Sequence, residues 1–146
     1  MDDIERIKQL KARYFRTMDG KDWAAYRTVF TDDVLFDVRG GMAPTPPDAD
    51  YAEPPIIGAD AAVDFIRSGL EHLVSAHQGF MPEIVLTGND SATGIWAMTD
   101  VLRAGEGAPF RTVRGYGHYH EHYRRVDGEW KIARLRLTRL IVDIET

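Results

Sequence analysis

The sequence predicts an α+β fold: about three N-terminal helices, then a strongly curved mixed or antiparallel sheet wrapped around them. Three observations carry this. Apolar residues recur at helical spacing up to about residue 73. From residue 76 onward the period becomes two, and long strand-like segments follow one another with short turns between them. Those segments contain Gly79, Gly94, Gly115 and Gly117, and glycine inside a strand weakens it and marks a bend or bulge. With 146 residues, 44% of them hydrophobic, the chain can bury one real core, so residues 1–146 read as a single domain.

Each element has its own signal. Ile4, Ile7, Leu10, Lys11, Tyr14 and Met18 define an amphipathic helix over residues 3–18, with Gly20 as its stop. Asp22 caps a second helix that places Trp23, Tyr26, Val29 and Phe30 on one apolar side. Residues 34–38 (Val-Leu-Phe-Asp-Val) form a short strand. The Gly-, Pro- and Asp-rich stretch 39–57 is a loop long enough to be functional or disordered. Gly58-Ala59-Asp60 leads a third helix, with Ala62, Val63, Phe65, Ile66, Leu70 and Leu73 on its buried side. Strands are expected at about 77–87, 91–103, 111–126 and 129–143. The last two are joined by Asp127-Gly128, a strong hairpin signal. A sheet bent this way would leave a closed-end pocket against the helices.

Composition narrows the function. A net charge of −5 and a pI near 5.5 disfavour a nucleic-acid backbone as the main partner. The absence of cysteine excludes disulfides, thiolate nucleophiles and cysteine-based zinc sites. No apolar run approaches membrane-spanning length, and the acidic start Met1-Asp2-Asp3-Ile4-Glu5 is unlike a signal peptide. The expectation is a cytoplasmic protein with no membrane or nucleic-acid partner.

Two residues stand out chemically. Asp19 closes the first helix, where the macrodipole favours cations, so helix formation does not explain it. His77, in Ser75-Ala76-His77-Gln78-Gly79, opens a strand. Together they have the parts of a general base: an imidazole near neutrality and a carboxylate to fix its tautomer. Tyr14, on the inner side of the first helix, is a hydrogen-bond donor to the same site or a core aromatic with a satisfied hydroxyl.

Other polar groups are less specific. His118, His120 and His122 alternate along one strand face with Gly117, Tyr119, Glu121 and Tyr123 on the other. Glycine and aromatics suit the concave wall, so the histidines are expected outside, and no metal site is expected. Asp32 and Asp33 read as a solvated pair. By strict alternation Arg134 and Arg136 share a face with Trp130 and Ile132; with Arg139 they either bind an acidic substrate group or form a salt-bridged outer face.

With these residues placed, the chain resembles the SnoaL-like branch of the NTF2-like superfamily, a cone-shaped α+β fold, over nearly its whole length. The matching stretches are 7–16 (IKQLKARYFR), 18–23 (MDGKDW) and 76–84 (AHQGFMPEI); a fourth, 123–132 (YRRVDGEWKI), is superfamily-wide. Within that superfamily it is most similar to scytalone dehydratase and bacterial bile acid 7α-dehydratase. In both, an Asp after helix 1 pairs with a His at the start of the second strand, at the positions of Asp19 and His77. The bile acid enzyme adds a helix 1 tyrosine, matched by Tyr14.

The resemblance implies catalytic roles for Tyr14, Asp19 and His77, and substrate contacts at Met18, Val38 and Tyr119; Tyr123 joins them by its place on the same inner strand face as Tyr119. Scytalone dehydratase carries tyrosines where Met18 and Val38 stand here, and a second histidine near Leu102, so scytalone is not the expected substrate. The implied activity is a cofactor-independent dehydratase, a carbon–oxygen lyase acting on a hydrophobic polycyclic or aromatic hydroxy-carbonyl compound of steroid or polyketide type. The alternatives are an isomerase or polyketide cyclase using the same dyad, and a non-catalytic small-molecule-binding protein. The implied assembly is a homo-oligomer: a trimer by the nearer relatives, a dimer by much of the superfamily.

Overall fold

A computed structural model describes residues 1–146. Helix α1 spans Asp3–Asp19. Its N-cap Asp2 accepts the Glu5 N–H at 2.8 Å, and Ile7, Leu10, Tyr14 and Met18 form its buried stripe. The helix stops at Gly20 as expected, but Gly20 stays right-handed, with φ −79°. The left-handed residue is Lys21, at φ 57°, whose Nζ donates to the Leu73 carbonyl. Helix α2, Trp23–Arg27, is shorter than its apolar pattern suggested. Val29 and Phe30 do not belong to it; Phe30 already opens strand β1, Phe30–Asp37.

Strand β2 is the short pair Ile56–Ile57, and α3 runs Ala59–Leu70. Phe65, expected on the buried side of α3, is half exposed, while Ala59, Ala62, Val63 and Leu70 are buried. The remaining strands are β3 Val74–Leu86, β4 Ser91–Arg103, β5 Thr112–Val126 and β6 Glu129–Glu145. They form one six-stranded sheet in the order β2-β1-β6-β5-β4-β3, with β1 parallel to β6 and every other pair antiparallel. The turn from β5 to β6 uses Asp127 at φ 52° and Gly128 at φ 82°, the backbone a two-residue hairpin requires.

Bulges supply the curvature, and they also change which residues face inward. The β5–β6 register slips between Tyr116 and Gly117 and between His122 and Tyr123, leaving Leu140 and Ala133 of β6 unopposed. An extra residue reverses the alternation that follows it. Trp130 and Ile132 therefore point into the core, whereas Arg134 and Arg136 lie on the other face, contrary to strict alternation. Just before the slip at Leu140, Thr138 and Arg139 are both buried.

Aromatic rings pack the part of the concave side that lies under α1 and α2. Tyr14 packs edge-on against Phe30 and Tyr119, with ring centroids 6.0 and 5.7 Å apart, and Tyr26 sits 5.4 Å from Tyr14. Clefts of about 560, 640 and 410 Å³ open along the α1–β6, α2–β1 and β4–β5 seams, and none of their linings includes Tyr14, Asp19 or His77.

Three arginines pin the segment after β1. Arg39 pairs with Asp37 and reaches the Glu53 carbonyl, Arg136 pairs with Asp37 and the Ala49 carbonyl, and Arg139 Nε donates to the Gly41 carbonyl.

Candidate active site

Helix α1 ends against the outer edge of β3, a strand with a neighbour on one side only. That edge offers free donors, and Asp19 takes three of them. Its Oδ1 accepts Ser75 Oγ at 2.8 Å and meets His77 Nδ1 at 2.6 Å; its Oδ2 accepts the backbone N–H of His77 at 2.7 Å. These bonds compensate a carboxylate that the helix dipole disfavours. An ionised carboxylate only accepts, so in a neutral imidazole Nδ1 carries the proton and Nε2 presents a lone pair.

The other ring nitrogen, Nε2, points along the sheet toward β4. The His77 side chain is 7% exposed, and His77 pairs across the sheet with Asp100 of β4. Directly opposed side chains on one sheet face lie within contact, and Nε2 comes to 3.5 Å from Asp100 Oδ2. Asp100 is in turn gripped by Arg139 through two parallel bonds of 2.9 Å, both groups being buried. Gly115 opposes Asp100 on β5 and makes room for this pair: a Cβ there would collide with the Arg139 guanidinium and the Asp100 carboxylate. The result is a linear series Asp19–His77–Asp100–Arg139.

Asp100 and Arg139 as a pair were not foreseen. The strand pattern held a signal, since Asp100 has the parity of Trp96 and Met98 in an otherwise apolar run. Arg139 was masked by the bulge at Ala133, which moves the odd-numbered residues after it to the inner face.

The expected site residues divide. Tyr14 is buried, and burial, then the neighbouring Tyr119 and Tyr26, push its phenol well above its ordinary range, so it is a donor at any ordinary pH. Tyr119 is likewise raised by burial, and next by the charge of Asp100, which it lies near. Met18 is buried in the core beside Asp19, and Val38 is half-buried at its edge. Tyr123 faces inward, but it is eight positions along β5 from Gly115, about 26 Å of strand at 3.3 Å per residue. Its hydroxyl donates to Glu121 Oε1 at 2.6 Å and accepts from Trp96 Nε1 at 2.9 Å. The structure does not bring it to the dyad.

The three histidines lie on the opposite face of β5 from Tyr119. His122 is exposed, and His120 Nε2 lies 3.0 Å from Thr138 Oγ1. No group of three or more His, Asp or Glu side chains is arranged to hold a metal ion. Asp32 and Asp33 are exposed, pairing with Arg27 and Arg124.

A second buried charge pair also escaped the sequence reading. Lys11 Nζ meets Glu121 Oε2 at 2.7 Å, and both side chains are fully inaccessible. The Lys11 ammonium lies 3.7 Å from the Tyr14 ring centre and 3.6 Å from that of Tyr119. Its presence on the apolar stripe of α1, opposite a glutamate between two inward tyrosines, was the available clue.

Known proteins share this architecture. A hexachlorocyclohexane dehydrochlorinase, LinA type 2, superposes with TM-score 0.77 at 17% identity, covering 97% of this chain and 88% of that one. A scytalone dehydratase-like protein from Novosphingobium aromaticivorans gives TM-score 0.77 at 18% identity, covering 96% and 85%. At such identities the likeness is one of fold. In sequence, the chain is 26% identical over 136 residues to a probable cyclase, FGR4, from Gibberella zeae, covering 92% of this chain and 89% of that protein. No helix is long and apolar enough to cross a membrane. The SnoaL-like domain pattern matches residues 1–136, and the chain belongs to the SnoaL-like family.

Proposed function

We propose that the protein is a cofactor-independent dehydratase acting on a hydrophobic polycyclic or aromatic hydroxy-ketone, with His77 as the general base. The observation that carries this reading is the Asp19–His77 contact of 2.6 Å, reinforced by Ser75 and the His77 backbone, which leaves Nε2 without a donor in hydrogen-bond range.

In this mechanism Nε2 removes the acidic proton next to the substrate carbonyl. Tyr14 donates a hydrogen bond to the carbonyl oxygen as it becomes an enolate. The enolate collapses, the β carbon–oxygen bond breaks, and the imidazolium returns the proton to the departing hydroxide, giving water and an enone. Asp19 and Asp100 flank the transient imidazolium, and Arg139 keeps Asp100 from adding an uncompensated negative charge. A positioned acid–base group of this kind contributes about 10²–10⁴-fold. Met18 and Tyr119 would contact the substrate. A homo-oligomer belongs to the same reading, and light scattering measures it.

A second reading is cyclisation of a polyketide, favoured by the likeness to the probable cyclase; its first step is the same proton abstraction. The test is a panel of hydroxy-steroid ketones and polyketide-type β-hydroxy-ketones, followed by absorbance and mass spectrometry. Loss of one water with appearance of a conjugated product supports the dehydratase. An isomer or ring-closed product of unchanged mass supports the second reading. Binding without turnover counts against both.

A further inference from the structure

The mechanism above leaves unused the most deeply buried charges in the protein. Lys11 and Glu121 bridge α1 and β5, and neither side chain touches solvent. Tyr123 and Trp96 complete the glutamate's surroundings: Trp96 Nε1 donates to Tyr123 Oη, and Tyr123 Oη donates to Glu121 Oε1. The ammonium has one carboxylate partner and otherwise faces aromatic rings. Tyr14 and Tyr119 take it at 3.7 and 3.6 Å from their centres, and Phe15 lies at 4.8 Å. Cations over ring faces are attracted to the ring quadrupole, more strongly when desolvated. Replacing a buried ion pair with apolar groups is often neutral or stabilising, so stability alone does not account for this one.

We propose that Lys11, held by Glu121, is a positioning residue for Tyr14: its ammonium fixes the Tyr14 and Tyr119 rings against each other and draws electron density from them, so that Tyr14 donates a stronger hydrogen bond to the substrate oxygen. The inference rests on Tyr14 being the donor in the proposed reaction. It specifies what sets that donor's strength. The titratable groups facing the ammonium are Tyr14 from α1 and Glu121 and Tyr119 from β5, with Tyr123 behind Glu121 and Tyr26 of α2 behind Tyr14. Burial, opposed by Glu121, lowers the Lys11 ammonium to about 8, while the phenols of Tyr14, Tyr26, Tyr119 and Tyr123 are all raised. The cation can therefore be removed by pH before the tyrosines ionise.

The experiment uses the whole protein with tyrosine isotope-labelled at Cζ, Tyr14 and Tyr119 being assigned through Tyr14→Phe and Tyr119→Phe. The expected result is that both signals move together with a midpoint near pH 8. The double variant Lys11→Met/Glu121→Gln leaves no charge alone and keeps an acceptor for Tyr123. In it the transition disappears, and the Tyr14 signal is displaced from its low-pH wild-type position in the direction the wild-type signal takes at high pH. On a substrate found in the panel above, the double variant loses about tenfold in kcat with KM nearly unchanged, as expected for weakening one hydrogen bond in the transition state. Signals that do not move near pH 8, or a double variant with wild-type signals and wild-type kcat, overturn the proposal. Failure of the dehydratase reading looks different: His77→Ala keeps full turnover, or no hydroxy-ketone reacts, while the Tyr14 and Tyr119 signals still follow Lys11 and uphold the clamp.

Discussion

Two buried ionic clusters lie on the concave face, and they are finished to different degrees. In the first, Lys11, Glu121, Tyr123 and Trp96 satisfy one another, and the remaining surface of the ammonium is covered by aromatic rings. In the second, Asp19 accepts three hydrogen bonds and Asp100 accepts two from Arg139, yet His77 Nε2 between them approaches its neighbour only to 3.5 Å. A ring nitrogen left open beside a carboxylate that orients the imidazole is what a general base requires. In the proposed mechanism the closed cluster positions Tyr14, and the open one takes the proton.

The closed cluster should be the harder to break. Lys11→Met alone strands a buried carboxylate, and removing one partner of such a pair costs about 3–5 kcal/mol. Thermal unfolding should show this loss, with most of it recovered in Lys11→Met/Glu121→Gln. Equal losses in single and double variants would mean that the lysine matters for its packing rather than its charge.

The open cluster depends on one missing side chain. Gly115→Ala places a methyl group against the Arg139–Asp100 pair. Overpacking of this kind costs about 1–3 kcal/mol. The account expects the arginine to be displaced and activity to fall further than stability. A variant with unchanged turnover would remove Asp100 and Arg139 from the working site.

The smallest effect concerns the loop beside this cluster. The Arg39 side-chain bonds to Asp37, aided by Arg136, hold the Asp37 carboxyl below its ordinary range. A lowered carboxyl adds stability above its unfolded value of 3.8, and that contribution is lost as pH falls through the folded value. Hydrogen exchange should therefore rise in residues 38–55 below about pH 4, before global unfolding. Uniform exchange across the chain would show that the arginine clasp is not a separate unit.

Local chemistry made much of this legible in the sequence. Helix periodicity placed α1 within one residue, the Asp127-Gly128 turn placed the β5–β6 hairpin, and the misfit of Asp19 at a helix C-terminus pointed to a partner, which the structure supplies as Ser75 and His77. What escaped depends on long-range register. The bulge at Ala133 turned Arg134 and Arg136 outward and brought Arg139 in, and no local pattern announces a one-residue slip. The partnership of Lys11 and Glu121 spans 110 positions and exists only once α1 lies on β5. The packing of Tyr14 among Tyr26, Phe30 and Tyr119 likewise depends on how α1, α2 and the sheet come together, and no single residue announces it.

The central claim is that Asp19 and His77 act as one base. Its most direct measurement is turnover of a verified hydroxy-ketone by His77→Ala, Asp19→Asn and the double variant, with Tyr14→Phe alongside and folding checked for each. The account predicts a loss of roughly 10²-fold or more for each single change, a smaller loss for Tyr14→Phe, and a double variant little worse than the singles, because residues that act as a unit are not additive. Single losses that multiply in the double variant would show two independent groups, and full activity in His77→Ala would show that the base lies elsewhere.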